Sequence, residues 1–204
     1  MAAILIGDLN SPDASRRIAD LSTPADHAYA ASFGRAQRRK QSLLARALLR
    51  QLLHKQTGLA GRAWSISRDR GLSAYHPDCH FPLFVSISHS GPAVAAALSV
   101  DGRVGIDIER RHPKRDMANI LRQLTSRTAP IPGDRDTSFA AWAMYEAWLK
   151  ARAAPVSHHI PSEILGALDQ AGQKCRYLVS IEGVTYRFDV AQLPGYVLSL
   201  CEQS

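Results

Sequence analysis

Gly105-Ile106-Asp107-Ile108-Glu109 reads as a β-strand, because two isoleucines alternate with two carboxylates. A strand sends successive side chains to opposite faces, so Asp107 and Glu109 share one face and Ile106 and Ile108 the other. Carboxylates placed in this way repel each other. They persist where the face is solvated, or where a hard cation such as Mg²⁺ takes oxygens from both. Taken alone, the run is equally an acidic, solvent-exposed strand face followed by Arg110 and Arg111.

The flanking sequence adds two further patterns. Upstream, Phe84-Val85-Ser86-Ile87-Ser88-His89-Ser90-Gly91 is an alternating strand that ends in hydroxyl and imidazole side chains and a glycine. Those groups donate hydrogen bonds to anionic oxygens, and glycine lets the backbone come close. An ordinary serine-rich strand end has the same composition. Downstream, Trp142-Ala143-Met144-Tyr145-Glu146-Ala147-Trp148-Leu149-Lys150 has helical periodicity, with Phe139, Trp142, Glu146, Leu149 and Lys150 on one broad stripe. A carboxylate and an ammonium thus share an otherwise apolar face. The plain alternative is an i,i+4 pair on a surface helix, worth roughly 0.2–0.5 kcal/mol.

In this order and spacing the three motifs resemble the 4′-phosphopantetheinyl transferases of the surfactin-type and AcpT-like branch. Members carry a Ser-His-Ser-Gly strand end, then Gly-x-Asp-Ile-Glu, then Trp-x-x-Lys-Glu-x-x-x-Lys; here Tyr145 stands where most have Lys. Arg38-Arg39-Lys40-Gln41-Ser42-Leu43-Leu44-Ala45-Arg46 is similar to their basic helix near the start. The resemblance implies an α+β, pseudo-twofold fold of two similar α/β lobes, with the active site in the cleft between them. It implies transfer of the phosphopantetheine arm of coenzyme A to a serine of an apo acyl or peptidyl carrier protein, with 3′,5′-ADP leaving. Such carriers serve fatty-acid, polyketide or nonribosomal-peptide synthesis. Asp107, Glu109 and Glu146 would be the Mg²⁺ ligands, Glu146 and Lys150 the catalytic pair, and Ser88 and His89 phosphate ligands. Arg39, Lys40 and Arg46 are candidates for the cofactor's 3′-phosphate. The same residues also suit a non-catalytic relative that binds coenzyme A or a carrier without turnover.

Composition is compatible with this. A chain of 204 residues, 46% hydrophobic, can bury a core in one unit or two small lobes. No apolar run approaches a membrane span, and the first residues lack the pattern of a signal peptide. Three cysteines without a C-x-x-C pair suit reduced thiols in a cytoplasm; a monomer is expected. His76-Pro77-Asp78-Cys79-His80 lacks a second ligand pair for structural zinc. The net charge of +7 attracts polyanions. Nucleic acid is disfavoured as the partner because residues 35–50 contain no aromatic side chain, whereas coenzyme A and an acidic carrier both fit. The basic helix is expected to bury Leu44, Leu48 and Leu52 and to surround them with solvated Arg38, Arg39, Lys40, Arg46 and Arg50.

Elements expected from the pattern echo each other across a seam near Gly102, dividing the chain into residues 1–102 and 103–204. The first half has strands at 3–7, 63–68, 84–88 and 94–99 and a helix at 34–53. The second has strands at 104–109, 174–181, 185–190 and 196–201 and a helix at 138–150. Val100-Asp101-Gly102-Arg103 and Glu182-Gly183 are hairpin-type turn signals, and 129–134 and 153–161 are loops.

Overall fold

Two Ser/Thr-Pro pairs begin the first helices. Ser11 accepts a hydrogen bond from the Asp13 amide, with Pro12 in the first turn, and opens α1 (Pro12–Leu21). Thr23 and Asp26 form a reciprocal capping box that opens α2 (Pro24–Ala31). Both arrangements satisfy amides that have no partner inside a helix. The structure, a computed structural model, describes residues 1–68, 71–125, 131–152, 159–171 and 175–204. Parts of the loops expected at 129–134 and 153–161, and Lys174 at the start of an expected strand, lie outside the described residues.

The chain is a mixed α+β protein whose described residues divide into two compact units, Met1–Asp101 and Gly102–Ser204. In the first unit, β1 (Ala3–Asp8), β4 (Phe84–Ser90) and β5 (Ala93–Ser99) form an antiparallel sheet in the order β1-β5-β4, while β2 (Ser65–Ser67) and β3 (Ser73–Tyr75) pair separately. The long helix α3 (Ala36–Thr57) ends at Gly58, whose φ of +74° is the left-handed cap glycine favours. Its Leu44, Leu48, Leu49 and Leu52 pack with Trp64, Val94, Ala96 and Leu98 in the core of this unit.

Arg46 and Arg50 depart from the solvated face expected of them. Each is almost wholly buried, because α2 brings Asp26 against this side of α3. Arg46 Nη1 lies 3.2 Å from Asp26 Oδ1 and Arg50 Nη2 3.0 Å from Oδ2. The Arg46 guanidinium also stacks 4.2 Å above the Tyr29 ring and donates to the Ile66 carbonyl. Burial pushes the Arg50 guanidinium below its ordinary value, which Asp26 opposes. A charged group survives burial only with such partners.

In the second unit, β6 (Val104–Arg110), β7 (Arg176–Ile181), β8 (Val184–Leu193) and β9 (Tyr196–Gln203) form an antiparallel sheet in the order β6-β9-β8-β7. Positive φ at Glu182 and Gly183 gives the β7–β8 turn the form that matches strand twist. Residues 100–103 do not make the expected hairpin, because β5 and β6 belong to different sheets. Among the described residues, three helices accompany this sheet: α4 (Met117–Leu124), α5 (Arg135–Arg152) and α6 (Ser162–Ala171). The core gathers Phe139, Met144, Tyr145 and Trp148 of α5 with Phe188, Val197 and Cys201. Cys201 is fully buried opposite Gly105, and burial pushes its thiol well above the usual range. No described helix is long and apolar enough to cross a membrane.

Candidate active site

A glycine sets the distance between β6 and α5. A Cβ at Gly105 would stand 1.9 Å from the Ala147 carbonyl oxygen and 2.6 Å from the Ala151 amide nitrogen, so α5 reaches this depth only over a residue without a side chain. Asp107 follows two positions along the same face of the strand. Glu146 and Lys150 each precede one of the two alanines at the pinch; the helix delivers Lys150 to Asp107, and Glu146 stands close enough to feel the charges of both.

Lys150 Nζ donates to Asp107 Oδ1 at 2.7 Å and to the Ile106 carbonyl at 3.1 Å. Glu109, on the face that Asp107 shares, is paired with Arg115. Asp107 and Glu109 are 5% and 8% exposed, so the solvated acidic strand is not what forms. Repulsion between the two carboxylates is relieved by two internal cations, one from the helix and one from the turn after β6. Burial holds the Glu146 carboxyl above its ordinary value; Lys150 opposes this, Asp107 adds to it, and Arg115 opposes it. Such a carboxyl is closer to the working pH of a general base than an exposed one. The helix is also no surface helix: most of its residues between Ser138 and Ala151 are buried.

Tyr145 belongs to the core of its unit. It is 2% exposed, between the rings of Trp142 and Trp148, and burial raises its hydroxyl, with the Glu146 charge adding to the effect. The aromatic residue at this position therefore serves the core.

Two residues were not singled out by sequence. Arg115 returns to Glu109 through the turn closed by its amide on the His112 carbonyl. Ser199 sits directly opposite Asp107 on β9, wholly buried, and its Oγ has no hydrogen-bond partner among the described residues. The β6–β9 pairing reveals Ser199 and the turn after β6 reveals Arg115, and neither follows from the period of the motif.

Carboxylate and hydroxyl oxygens are the kind of donor a hard divalent cation takes, and the buried Ser199 lies opposite Asp107. Among the described residues, however, no three His, Cys, Asp or Glu side chains are gathered closely enough to hold a metal ion together. The donors fit such an ion in kind. In this arrangement Lys150 and Arg115 supply the two positive charges it would bring.

The other expected site residues lie in the first unit. Arg39 Nη1 donates to the carbonyls of Phe33 and Gly34, at 2.8 and 3.0 Å, and so braces the turn that leads into α3. Lys40 is exposed. No side chain caps α3 and its first turn has no acidic residue; Arg38 lies over the Phe33 ring and its guanidinium is held below its ordinary value by burial first and then by the nearby Arg68. An uncapped helix start among repelling cations favours an anion. Arg46, by contrast, is committed to Asp26 and the core of its unit.

Ser88 and His89 do not act as one grip. The strand β4 runs on through Ser90, so alternation sends the two side chains to opposite faces. Ser88 shares its face with Ser86 and Ser90, across from Ala97, Ala95 and Ala93, whereas His89 lies on the face of Val85 and Ile87 that packs on the α3 core. Gln41 Nε2 ties α3 to the end of this strand by donating to the Gly91 carbonyl at 2.6 Å.

No family model matches the chain, and no curated protein matches it.

Proposed function

We propose that the chain is a 4′-phosphopantetheinyl transferase, moving the phosphopantetheine arm of coenzyme A to a serine of an apo acyl or peptidyl carrier protein with release of 3′,5′-ADP. The observation that carries the reading is the meeting of Asp107, Glu146 and Lys150 at the Gly105 pinch. Motif spacing alone did not require those three side chains to share one place. The basic, uncapped start of α3 supports it further as a seat for a phosphorylated cofactor.

Each residue then has a chemical role. Asp107, Glu109 and Glu146 would hold Mg²⁺, which supplies charge neutralisation at the pyrophosphate when bound. Glu146, raised by burial, accepts the proton of the attacking serine hydroxyl. Lys150 has a short reach from Asp107 to an incoming phosphate and neutralises charge there. Arg39 and Lys40, with Arg38 beside them, attract the cofactor's phosphates, and His89 or Ser88 donates to them from β4. Arg46 leaves this set for the reason of burial given above. An acidic carrier is drawn by the net positive charge.

The test is a mass measurement. Incubated with coenzyme A, Mg²⁺ and a panel of apo carriers, the protein is expected to add about 340 Da, the mass of the transferred arm, to at least one of them and only with the metal present. Coenzyme A binding without a mass shift on any carrier would turn the reading to a binding relative.

A further inference from the structure

We infer that Arg115 is an internal counter-ion that must leave Glu109 before a divalent cation can be taken, and that it thereby sets how tightly the site binds metal. The inference rests on the metal site proposed above and concerns a residue outside the motifs that suggested it.

Arg115 is held on two sides. Its guanidinium pairs with Glu109 and lies 5.6 Å above the centre of the Trp142 ring, one helical turn before Glu146. Its charge also reaches Glu146. A single guanidinium thus stabilises two of the three carboxylates that a metal would need. Like charges on one face are costly, and this cation relieves a repulsion that a bound metal would also relieve.

It also has somewhere to go. The Arg115 side chain is 36% exposed, against 11% for Glu109. It borders a cavity of about 340 Å³ between residues 113–118 and 133–138. Asp116 and Asp134 line the same cavity. Asp116 caps a helix by accepting from the Asn119 amide through one oxygen, while Asp134 accepts from the Thr137 amide and hydroxyl and from the Asp136 amide, and a carboxylate accepts several hydrogen bonds. A displaced guanidinium therefore exchanges one carboxylate for another nearby. Lys150 is placed differently, with its ammonium anchored on a main-chain carbonyl as well as on Asp107.

Mn²⁺ alone, followed by loss of the free-ion electron paramagnetic resonance signal, tests this without any transferase assay. Breaking a partly exposed pair is expected to tighten Mn²⁺ binding about three- to tenfold in Arg115→Gln. Arg115→Lys, which keeps the charge but loses the fork, is expected to fall between that variant and the parent, and stands in for it should the glutamine variant not fold by circular dichroism. Lys114→Gln removes an equal charge one residue away and is expected to change the affinity less. Unchanged or weaker binding in the Arg115 variants, or an equal gain in Lys114→Gln, overturns the inference and leaves the metal site standing. Absence of Mn²⁺ binding in parent and variants alike removes the metal site itself, and the inference with it.

Discussion

Glu146→Gln is expected to lower carrier modification by roughly 10²–10⁴-fold, the usual worth of a general base, while coenzyme A still binds. Glutamine keeps the length and hydrogen-bonding reach of the side chain and removes its charge and basicity. Stability is expected to move the other way. Burial raises the Glu146 carboxyl above its ordinary value, so its ionised form destabilises the fold relative to its protonated form. That contribution to stability is fully present below the unfolded-state value and is lost as pH rises through the folded-state one. The neutral glutamine therefore gives a higher Tm at neutral pH. Its advantage shrinks as the parent is acidified and Glu146 takes up its proton. Thermal melts at several pH values, beside calorimetric titration of coenzyme A and the mass assay, read the three quantities separately. A kcat within a few-fold of the parent would remove Glu146 from the chemistry, and a lower Tm at neutral pH would mean that its charge is needed by the fold.

Gly105→Ala is expected to be the most damaging single methyl in the second unit. The atoms it would meet are backbone atoms of α5, at 1.9 and 2.6 Å, and cannot rotate away as a side chain can. Overpacking of this kind costs about 1–3 kcal/mol and occasionally more. We expect the upper end, near 3 kcal/mol, with Tm lower by roughly 6–12 °C for a chain of this size. Because the helix must lift to admit the methyl, Glu146 and Lys150 move from Asp107 and activity falls with stability. Gly166 in α6 offers the contrast. An added Cβ there meets nothing within 4 Å, and alanine in a helix interior is expected to stabilise by about 0.5–1 kcal/mol. Parallel melts of the two variants check both signs; a Gly105→Ala protein as stable as the parent would show that the strand and helix separate easily.

The strand β6 and the helix α5 were legible because each carries its own period, two residues for the one and 3.6 for the other. What the period could not reveal was the partner of each carboxylate. Glu109 meets Arg115 across a turn, and Asp107 meets Lys150 across a strand–helix contact, and neither pairing leaves a mark in the local pattern. Arg46 and Arg50 were misjudged for a related reason. Arginines on a leucine-bearing helix ordinarily face water, and only Asp26, carried by a different helix, makes their burial tolerable. The helices α1 and α2 had readable starts in Ser11-Pro12 and Thr23-Pro24-Ala25-Asp26, but each is short. At residues 100–103 the turn chemistry was local, whereas strand pairing is not.

Cys201 gives the second unit an internal timer. The thiolate is the reactive form of cysteine, and in the closed protein burial suppresses it at this position. Cys175 is exposed and Cys79 partly so, so an alkylating reagent consumes those two first. The third equivalent waits for the sheet to part from the helix above it. Its rate therefore reports how often the Gly105 contact opens, as hydrogen exchange does for an amide, at the one place where Asp107, Glu146 and Lys150 depend on that contact staying shut.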